Sequence, residues 1–269
     1  MNARARRLAP GLMAMLCCGF WVGCRAVLPP VPLPPDDPRP QALLSALAAE
    51  AEGRHSLRGS VKLSLDGPAG SFRASQVLLV EKPAHLRVEV QGFLSQTVAV
   101  LVTDGERFQL YRAGERSVED GRVYPGLLWQ VAQVDLTPEE AVEVLLGAPR
   151  VPPGLVPTQA LRLHDGGIRV ALGDPLGPSQ RVLEWGPDAH LRRFETRTPG
   201  DSILWQAEFR DWQRKGDAWF AHAVALHFPV SKTEVELNFR EVELNPELPS
   251  DAFVLPEPSS AATRGGGGA

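Results

Sequence analysis

The chain has 269 residues, 43% of them apolar and only 7% aromatic, with 28 lysines and arginines against 32 aspartates and glutamates. This length and composition predict one globular domain, or at most two, with a sizeable core. A net charge of -4 offers no basic surface for nucleic acid. After residue 24 no apolar run reaches the roughly 18 residues of a membrane-spanning helix, which argues against a polytopic membrane protein.

The N-terminus has the pattern of an export signal. Residues 1–7 contain three arginines and no acidic residue, and an apolar stretch over residues 8–23 follows. A permanent membrane-spanning helix is the alternative, but the stretch is short and contains Pro10, which disfavours a helix. We therefore predict a removable signal peptide over residues 1–23.

The end of this leader, Trp21-Val22-Gly23-Cys24, resembles a bacterial lipobox, whose cysteine receives a diacylglyceryl group. The resemblance implies that Cys24 is the lipid anchor; ordinary cleavage nearby is the alternative. The chain has no cysteine after Cys24, so this thiol has no internal disulfide partner in a mature protein. The residue after the cysteine is Arg25 and not aspartate, which, by resemblance to Gram-negative lipoproteins, favours the periplasmic face of the outer membrane.

The remaining sequence divides into three segments. Residues 24–39 are rich in proline, which favours an extended linker. Residues 40–256 carry the regular hydrophobic patterns and form one predicted domain. Residues 257–269 include four consecutive glycines and are predicted to be a disordered tail.

The domain is predicted to be mainly β. A helix is expected over residues 40–52, and alternating apolar and polar residues from Leu57 onwards predict strands. Asp104-Gly105 and residues 215–217 are hairpin signals, so neighbouring strands should be antiparallel. The last strand changes its alternation at Arg240-Glu241, which predicts a β-bulge.

One helical segment interrupts the strands, between residues 125 and 146. Thr137 begins its second half as an N-cap, with Glu140 completing a capping box. Strands then resume near residues 159–164, 167–172, 180–186, 190–197, 202–212, 218–228 and 232–244. The pattern predicts an unclosed antiparallel β-barrel of about ten or eleven strands, covered or plugged by short helices.

Motifs of enzymes and metal sites are absent from the sequence, which contains no zinc-protease helix, nucleophile elbow, phosphate-binding loop or CxxC pair. His222 and His227 are five residues apart on one predicted strand and so face opposite sides. His222 lies on the apolar side and is interpreted as a core histidine. We therefore expect no catalytic residue, no metal ligand and no cofactor.

Residues 81–97 combine a strand, a proline, a second strand, an apolar turn and a third strand. Together with the Asp104-Gly105 hairpin, the helix end at Pro149 and a closing strand at 253–256, this order resembles the LolB-like and LolA-like lipoprotein-handling family. The resemblance implies an exported protein with an unclosed antiparallel barrel covered by helices. It also implies a periplasmic lipoprotein carrier and lipidated cargo as partners.

In that family the membrane-anchored receptor exposes a leucine on the loop between two early strands. By position this residue is Leu94, with Phe93 beside it, and the resemblance implies that the pair contacts the membrane. The alternative is that both side chains fold back over the barrel rim.

The interior would then be the cargo site. A set of apolar side chains at alternating strand positions is predicted to line a cavity for acyl chains: Val98, Val100, Trp205, Phe209, Phe220, Val224 and Leu226. The alternative is that they pack on each other as a dry core. The sequence thus predicts an outer-membrane lipoprotein that passes apolar cargo to the membrane. A structural accessory lipoprotein of a secretion or polysaccharide-export complex is the second hypothesis.

Overall fold

A computed structural model describes residues 29–173 and 180–256. Cys24, the predicted signal peptide and the predicted tail at 257–269 lie outside the described residues. Within the described ranges, no helix is both long enough and apolar enough to cross a membrane.

The described chain forms three helices and fourteen strands. The helices are α1 (Pro38–Gly53), α2 (Leu127–Ala132) and α3 (Pro138–Leu145). The strands are β1 (Val31–Pro32), β2 (Ser56–Gly67), β3 (Gly70–Glu81), β4 (His85–Gln91), β5 (Thr97–Thr103), β6 (Arg107–Arg112), β7 (Glu119–Arg122), β8 (Val156–Arg162), β9 (Ile168–Gly173), β10 (Gln180–Trp185), β11 (Leu191–Arg197), β12 (Ile203–Lys215), β13 (Ala218–Phe228) and β14 (Thr233–Leu244).

All of these strands belong to one antiparallel sheet. Its order is β1-β8-β9-β10-β11-β12-β13-β14-β2-β3-β4-β5-β6-β7, and the edge strands β1 and β7 do not pair with each other. The sheet curls without closing, and α3 packs against β3 and β4. The fold class predicted from the sequence, an unclosed antiparallel barrel covered by short helices, is confirmed.

The strand count is higher than the predicted ten or eleven, because β1 and β7 were not expected and β3, the strand expected before Pro83, was given no bounds of its own. In β3 the residues 77–80 are consecutively apolar, which obscures the alternation of a half-buried strand. The sequence of β7 is entirely polar or glycine, and β1 has only two residues. Neither short strand has a pattern of its own, so both form only because a neighbouring strand offers hydrogen bonds.

The helices begin and end close to the predicted positions. Helix α1 begins at Pro38, two residues before the expected start, because the side chain of Asp37 accepts a hydrogen bond from the backbone N–H of Arg39 and caps it. Thr137 and Glu140 form the predicted capping box at α3. The predicted β-bulge is also present, as a register shift between Phe239 and Glu241.

Two terminal segments differ from expectation. The predicted linker already pairs with the sheet at β1, and the backbone N–H of Leu33 donates to the carbonyl oxygen of Ala160. The predicted closing strand at 253–256 is wrong, because this segment forms turns outside β4 to β6. It is held by side chains and not by a strand ladder, as in the 2.8 Å hydrogen bond from Leu255 N to Gln109 Oε1.

The antiparallel order gives the barrel two distinct ends. One end carries the connections at 68–69, 92–96, 113–118 and 229–232, and we call it the upper end. The lower end carries the connections at 104–106, 186–190 and 216–217. Aromatic side chains fill the interior at β12 to β14, where the rings of Phe220 and Phe239 meet edge to face at 5.2 Å. His222 is buried beside them, with Nδ1 3.2 Å from the carbonyl oxygen of Phe239, as its interpretation as a core histidine requires.

Candidate functional site

The barrel interior contains an apolar cavity of about 500 Å³. It lies between the inner face of strands β2 to β6, with β13 and β14, and the segment that contains α2 and α3. Its lining is almost entirely aliphatic: Leu63, Leu65, Leu78, Leu86, Val88, Val90, Val98, Ala99, Leu101, Leu110, Leu128, Val131, Val134, Leu136, Ala141, Val144, Leu145, Leu226, Val235 and Leu237. Such a lining favours a ligand made of hydrocarbon.

The cavity remains open because the covering helices are short. Alternation on β4 directs Leu86, Val88 and Val90 inward, while the six-residue helix α2 covers only part of this face. Gln133 ends α2 in the left-handed conformation at φ 58°, and the chain turns away before α3 begins. Several lining side chains, among them Val88 and Val131, are only half-buried as a result.

Few polar side chains reach the cavity. Gln76 is buried in the strand wall of the cavity, and Gln133 lies on the opposite side, directly after α2. Arg112 stands at the edge, where Nη1 lies 3.2 Å from a carboxylate oxygen of Glu119 and 3.5 Å from one of Glu115. Because this guanidinium is paired with acidic groups outside the cavity, the interior presents no unbalanced charge to an apolar ligand.

The mouth of the cavity opens at the upper end of the barrel. Its lining there comes from residues 69–72 at the β2–β3 turn, from Val98 at the start of β5 and from Arg112 at the end of β6. Phe72 lies in this mouth with 46% of its surface exposed. A ligand entering the interior would therefore pass the upper end.

The same end carries the most exposed apolar residues described. Phe93 is 97% exposed and Leu94 is 80% exposed, in the connection between β4 and β5. The turn is ordered by its own hydrogen bonds, including 2.8 Å from Leu94 N to the side-chain oxygen of Gln96. Both side chains project into solvent and do not fold back over the rim.

Val230, which no sequence pattern predicted as a site residue, adds to this surface. It is 78% exposed in the connection between β13 and β14, also at the upper end. A valine between Pro229 and Ser231 in a turn is a weak signal when read alone. Only the strand directions of the sheet place it at the same end as Phe93 and Leu94.

The seven residues predicted to line a cavity separate into three groups. Val98 and Leu226 do line it. Val100 is on the outer face, packed in a small cluster with Val102 and Leu255. Residues 98–102 are consecutively apolar, so the alternation could not choose a face; Val98, Ala99 and Leu101 line the cavity, whereas Val100 and Val102 do not.

The other four predicted cavity residues are Trp205, Phe209, Phe220 and Val224, and all are buried in the main core. They do not line the interior cavity, because they pack within the main core; Trp205 also borders a separate pocket of about 260 Å³, and Phe209 borders a separate cleft. The ring of Phe194, for example, stacks on Trp205 with centroids 5.6 Å apart. The alternation on β4, already recognised as a strand pattern, was the sequence signal for the lining residues that were missed.

A buried arginine fixes the end of the covering helices. Arg54 follows α1, is 4% exposed, and donates from Nη1 to the carbonyl oxygen of Leu146 at 3.0 Å. Its Nη2 donates to Glu50 Oε2 at 2.9 Å. Burial lowers the pKa of the Arg54 guanidinium, while the charge of Glu50 opposes that change. The arginine thus links α1 to the chain directly after α3.

Metal-binding side chains do not cluster in the described parts of the chain, where no group of three or more histidine, aspartate or glutamate residues is placed to hold an ion. The cavity lining itself contains no histidine and no acidic side chain. The lining of this cavity therefore offers a ligand mainly apolar contact.

Comparison with known proteins gives a fold assignment. No protein-family model matches the chain, and a search of curated proteins finds no match. Solved structures do match. A domain described as an outer-membrane lipoprotein-sorting protein from Vibrio parahaemolyticus superposes with a TM-score of 0.54 at 12% identity, covering 79% of this chain and 95% of that one.

Two further structures are similar over the same share of the chain. A DUF1329 family protein from Desulfovibrio piger has a TM-score of 0.57 at 10% identity, with 79% of this chain and 96% of that one covered. A LolA superfamily protein from Nitrosomonas europaea has a TM-score of 0.53 at 10% identity, with 79% and 97% covered. The molecule is an unclosed antiparallel barrel with helices across an apolar interior. Its fold is LolA/LolB-like, as the resemblance implied.

Proposed function

We propose that this protein is a lipid-anchored envelope protein that binds acylated or otherwise apolar cargo in its barrel cavity and releases it to the inner leaflet of the outer membrane. The observation that carries the proposal is the aliphatic cavity with its mouth at the end where Phe93 and Leu94 are exposed. The LolA/LolB-like fold supports it, since one structural neighbour is named for lipoprotein sorting.

The cavity suits an acyl chain in its chemistry. Each buried methylene contributes about 0.8 kcal/mol, so a chain of ten or more carbons gains enough to bind firmly without any specific polar contact. The lining residues supply aliphatic contacts, and the paired Arg112 at the edge is compatible with a polar group that remains at the mouth. Hand-over from a periplasmic carrier then requires only a difference in affinity between two apolar cavities, and no covalent step.

The upper end is proposed to face the membrane. Burying the side chains of Phe93 and Leu94 in lipid yields at most about 3–6 kcal/mol, which is too little for a permanent anchor. It is enough to seat the cavity mouth against the membrane surface once the protein is held nearby. The proposed anchor is the diacylglyceryl group on Cys24, and Val230 would extend the same contact.

A titration with a fluorescent fatty acid tests the binding step. Ala99 lines the cavity and is half-buried, so Ala99→Trp should fill part of the space and weaken probe binding about tenfold or more. Ala225→Trp is the matched control, since Ala225 is half-buried on the strand next to Leu226 but pairs with Glu208 and Glu236 and does not line the cavity. It should bind as the wild type does.

Two outcomes would contradict the proposal. The wild-type protein, freed of bound lipid, could fail to bind the probe, or both tryptophan variants could bind it equally well. Failure of the wild type to bind would favour the second hypothesis, an accessory lipoprotein of an envelope complex that uses only the outer surface of the barrel.

A further inference from the structure

A second cleft lies outside the barrel, at the lower end. It measures about 970 Å³ and is bounded by the β10–β11 connection and by strands β11 to β13. It shares no lining residue with the interior cavity. Its walls combine aromatic rings with charged side chains, which is a different chemistry from that of the aliphatic cavity.

Three aromatic rings form one wall of this cleft. The imidazole of His190 stacks on Trp212, with centroids 4.8 Å apart and planes at 8°, and lies 4.8 Å from the ring of Trp219 at 55°. Trp219 is 44% exposed. Aromatic rings that stand together in a cleft are typical of surfaces that contact a ligand or partner.

The wall is held rigidly. The carbonyl oxygen of Trp219 accepts a 2.6 Å hydrogen bond from Nη2 of the buried Arg54, which fixes the strand that carries the ring. Trp212 is stacked and half-buried, and its indole Nε1 has no hydrogen-bond partner among the described residues. A preorganised aromatic wall loses little conformational entropy when a ligand binds.

The rest of the cleft is polar and nearly balanced in charge. Four acidic residues and three arginines line it: Glu184, Asp188, Glu208, Asp211, Arg192, Arg193 and Arg210. The arginines already have acidic partners, as in the 3.0 Å contact between Arg193 and Glu208 and the ion pair between Arg192 and Asp165. Such a lining does not favour a strongly anionic ligand. Asp188 and Asp211 accept only from neutral donors among the described residues and can accept further hydrogen bonds from a ligand.

A sugar ring matches this combination of surfaces. One face of a pyranose presents C–H groups, which pack on the negatively polarised face of an indole. Its edge presents hydroxyl groups, which donate to carboxylates and accept from guanidinium groups. We propose that the cleft beside Trp219 binds an oligosaccharide, and that this site is independent of the apolar cavity.

The position of the cleft in the barrel determines the direction in which the proposed saccharide site faces. Strand direction places the 186–190 and 216–217 connections at the opposite end from Phe93 and Leu94. If the upper end faces the membrane, as proposed above, the saccharide site faces away from it, toward glycan in the periplasmic space. This orientation rests on the proposed function, whereas binding of the saccharide does not.

The test is a titration of the full-length protein with the tetramer of N-acetylglucosamine, followed through the indole N–H signals in a proton–nitrogen correlation spectrum. The wild type should bind, with shifts at the signals of Trp212 and Trp219. Trp219→Ala should weaken binding about tenfold or more. Trp129→Ala is the matched control, because Trp129 is 40% exposed on α2, away from the cleft, and it should bind as the wild type does.

A second variant covers the case in which Trp219→Ala fails to fold. The side chain of Arg192 is 44% exposed, so Arg192→Ala should keep the wild-type melting temperature and still weaken binding severalfold. The proposal is overturned if the wild type does not bind the tetramer, or if tetramethylammonium binds in its place at the same indole signals. It is also overturned if the folded variants bind as tightly as the wild type. The fatty-acid titration is separate, so either proposal can fail alone.

Discussion

Nη1 of Arg54 lies 3.0 Å from the carbonyl oxygen of Leu146, so a buried guanidinium at the end of α1 holds the chain directly after α3. We predict that Arg54→Met lowers the free energy of unfolding by about 3 kcal/mol, since the buried carbonyl oxygen of Leu146 and the partly buried one of Trp219 lose their charged donor. Urea unfolding monitored by circular dichroism measures this change.

The control for this prediction is Arg58→Met. The side chain of Arg58 is 46% exposed and makes two long surface contacts, at 3.5 Å to Glu243 and at 3.4 Å to the carbonyl oxygen of Glu247. Its loss should change the unfolding free energy by no more than about 0.5 kcal/mol. Equal effects of the two substitutions would show that the link between α1 and α3 does not stabilise the fold.

The exposed pair Phe93 and Leu94, which we call the tip, leads to a prediction about the release of cargo to the membrane. Leu94→Glu places a charge at a site that is 80% exposed, so folding and fatty-acid binding should be unchanged. Transfer of bound cargo to liposomes should slow markedly, because the charged tip no longer enters the lipid surface. Val254→Glu is a matched control, since Val254 is 55% exposed but lies outside β4 beside Arg87. Normal transfer by Leu94→Glu would refute the role of the tip.

The proposed anchor can be tested by cell fractionation. Cys24→Ala removes the thiol that would carry the lipid, and the protein should move from the membrane pellet to the soluble envelope fraction. Cys18→Ala changes a cysteine inside the predicted signal peptide and should leave the protein in the pellet. If Cys24→Ala still sediments with membranes, another feature of the chain holds it there.

Asp37 gives a prediction about pH. Hydrogen bonds from the side chain and the backbone N–H of Arg39 lower the pKa of the Asp37 carboxyl to about 2. In an unfolded chain this pKa is about 3.9, so the ionised carboxylate stabilises the fold above that pH and the effect disappears as the pH falls through the folded value.

The variant Asp37→Ala should therefore melt at a lower temperature than the wild type at pH 6. This difference should vanish as the pH falls from about 4 to about 2. Asp36→Ala, which changes the exposed neighbouring residue, should show no such pH-dependent difference. Thermal unfolding at a series of pH values makes the comparison, and a constant difference across the series would contradict the account.

The sequence predicted an element correctly where residues only a few positions apart determine its backbone conformation. Thr137 with Glu140, the Asp104-Gly105 turn and the bulge near Arg240 each depend on contacts within a few residues, so the sequence contains all the information they require. The strand β7 is different, because its polar residues form a strand only when β6 is already beside them.

The cavity could not be located in this way. Alternation shows that Phe220 and Val88 both face inward, but whether a side chain meets another side chain or empty space depends on the elements opposite. Across the cavity from Val88 lies the segment of α2 and α3 with its break at Gln133, whereas Phe220 meets the ring of Phe239. The residues that face each other in these two places are far apart in the sequence, so no local pattern can predict whether they meet.

Binding of an acyl chain inside the barrel is the property on which the proposed function depends most. Native mass spectrometry of the protein, extracted gently from membranes, tests this binding directly. The account predicts a bound acylated molecule on the wild type and on Ala225→Trp, and a strongly reduced fraction on Ala99→Trp. A wild-type spectrum that shows only the mass of the protein and its anchor would contradict it.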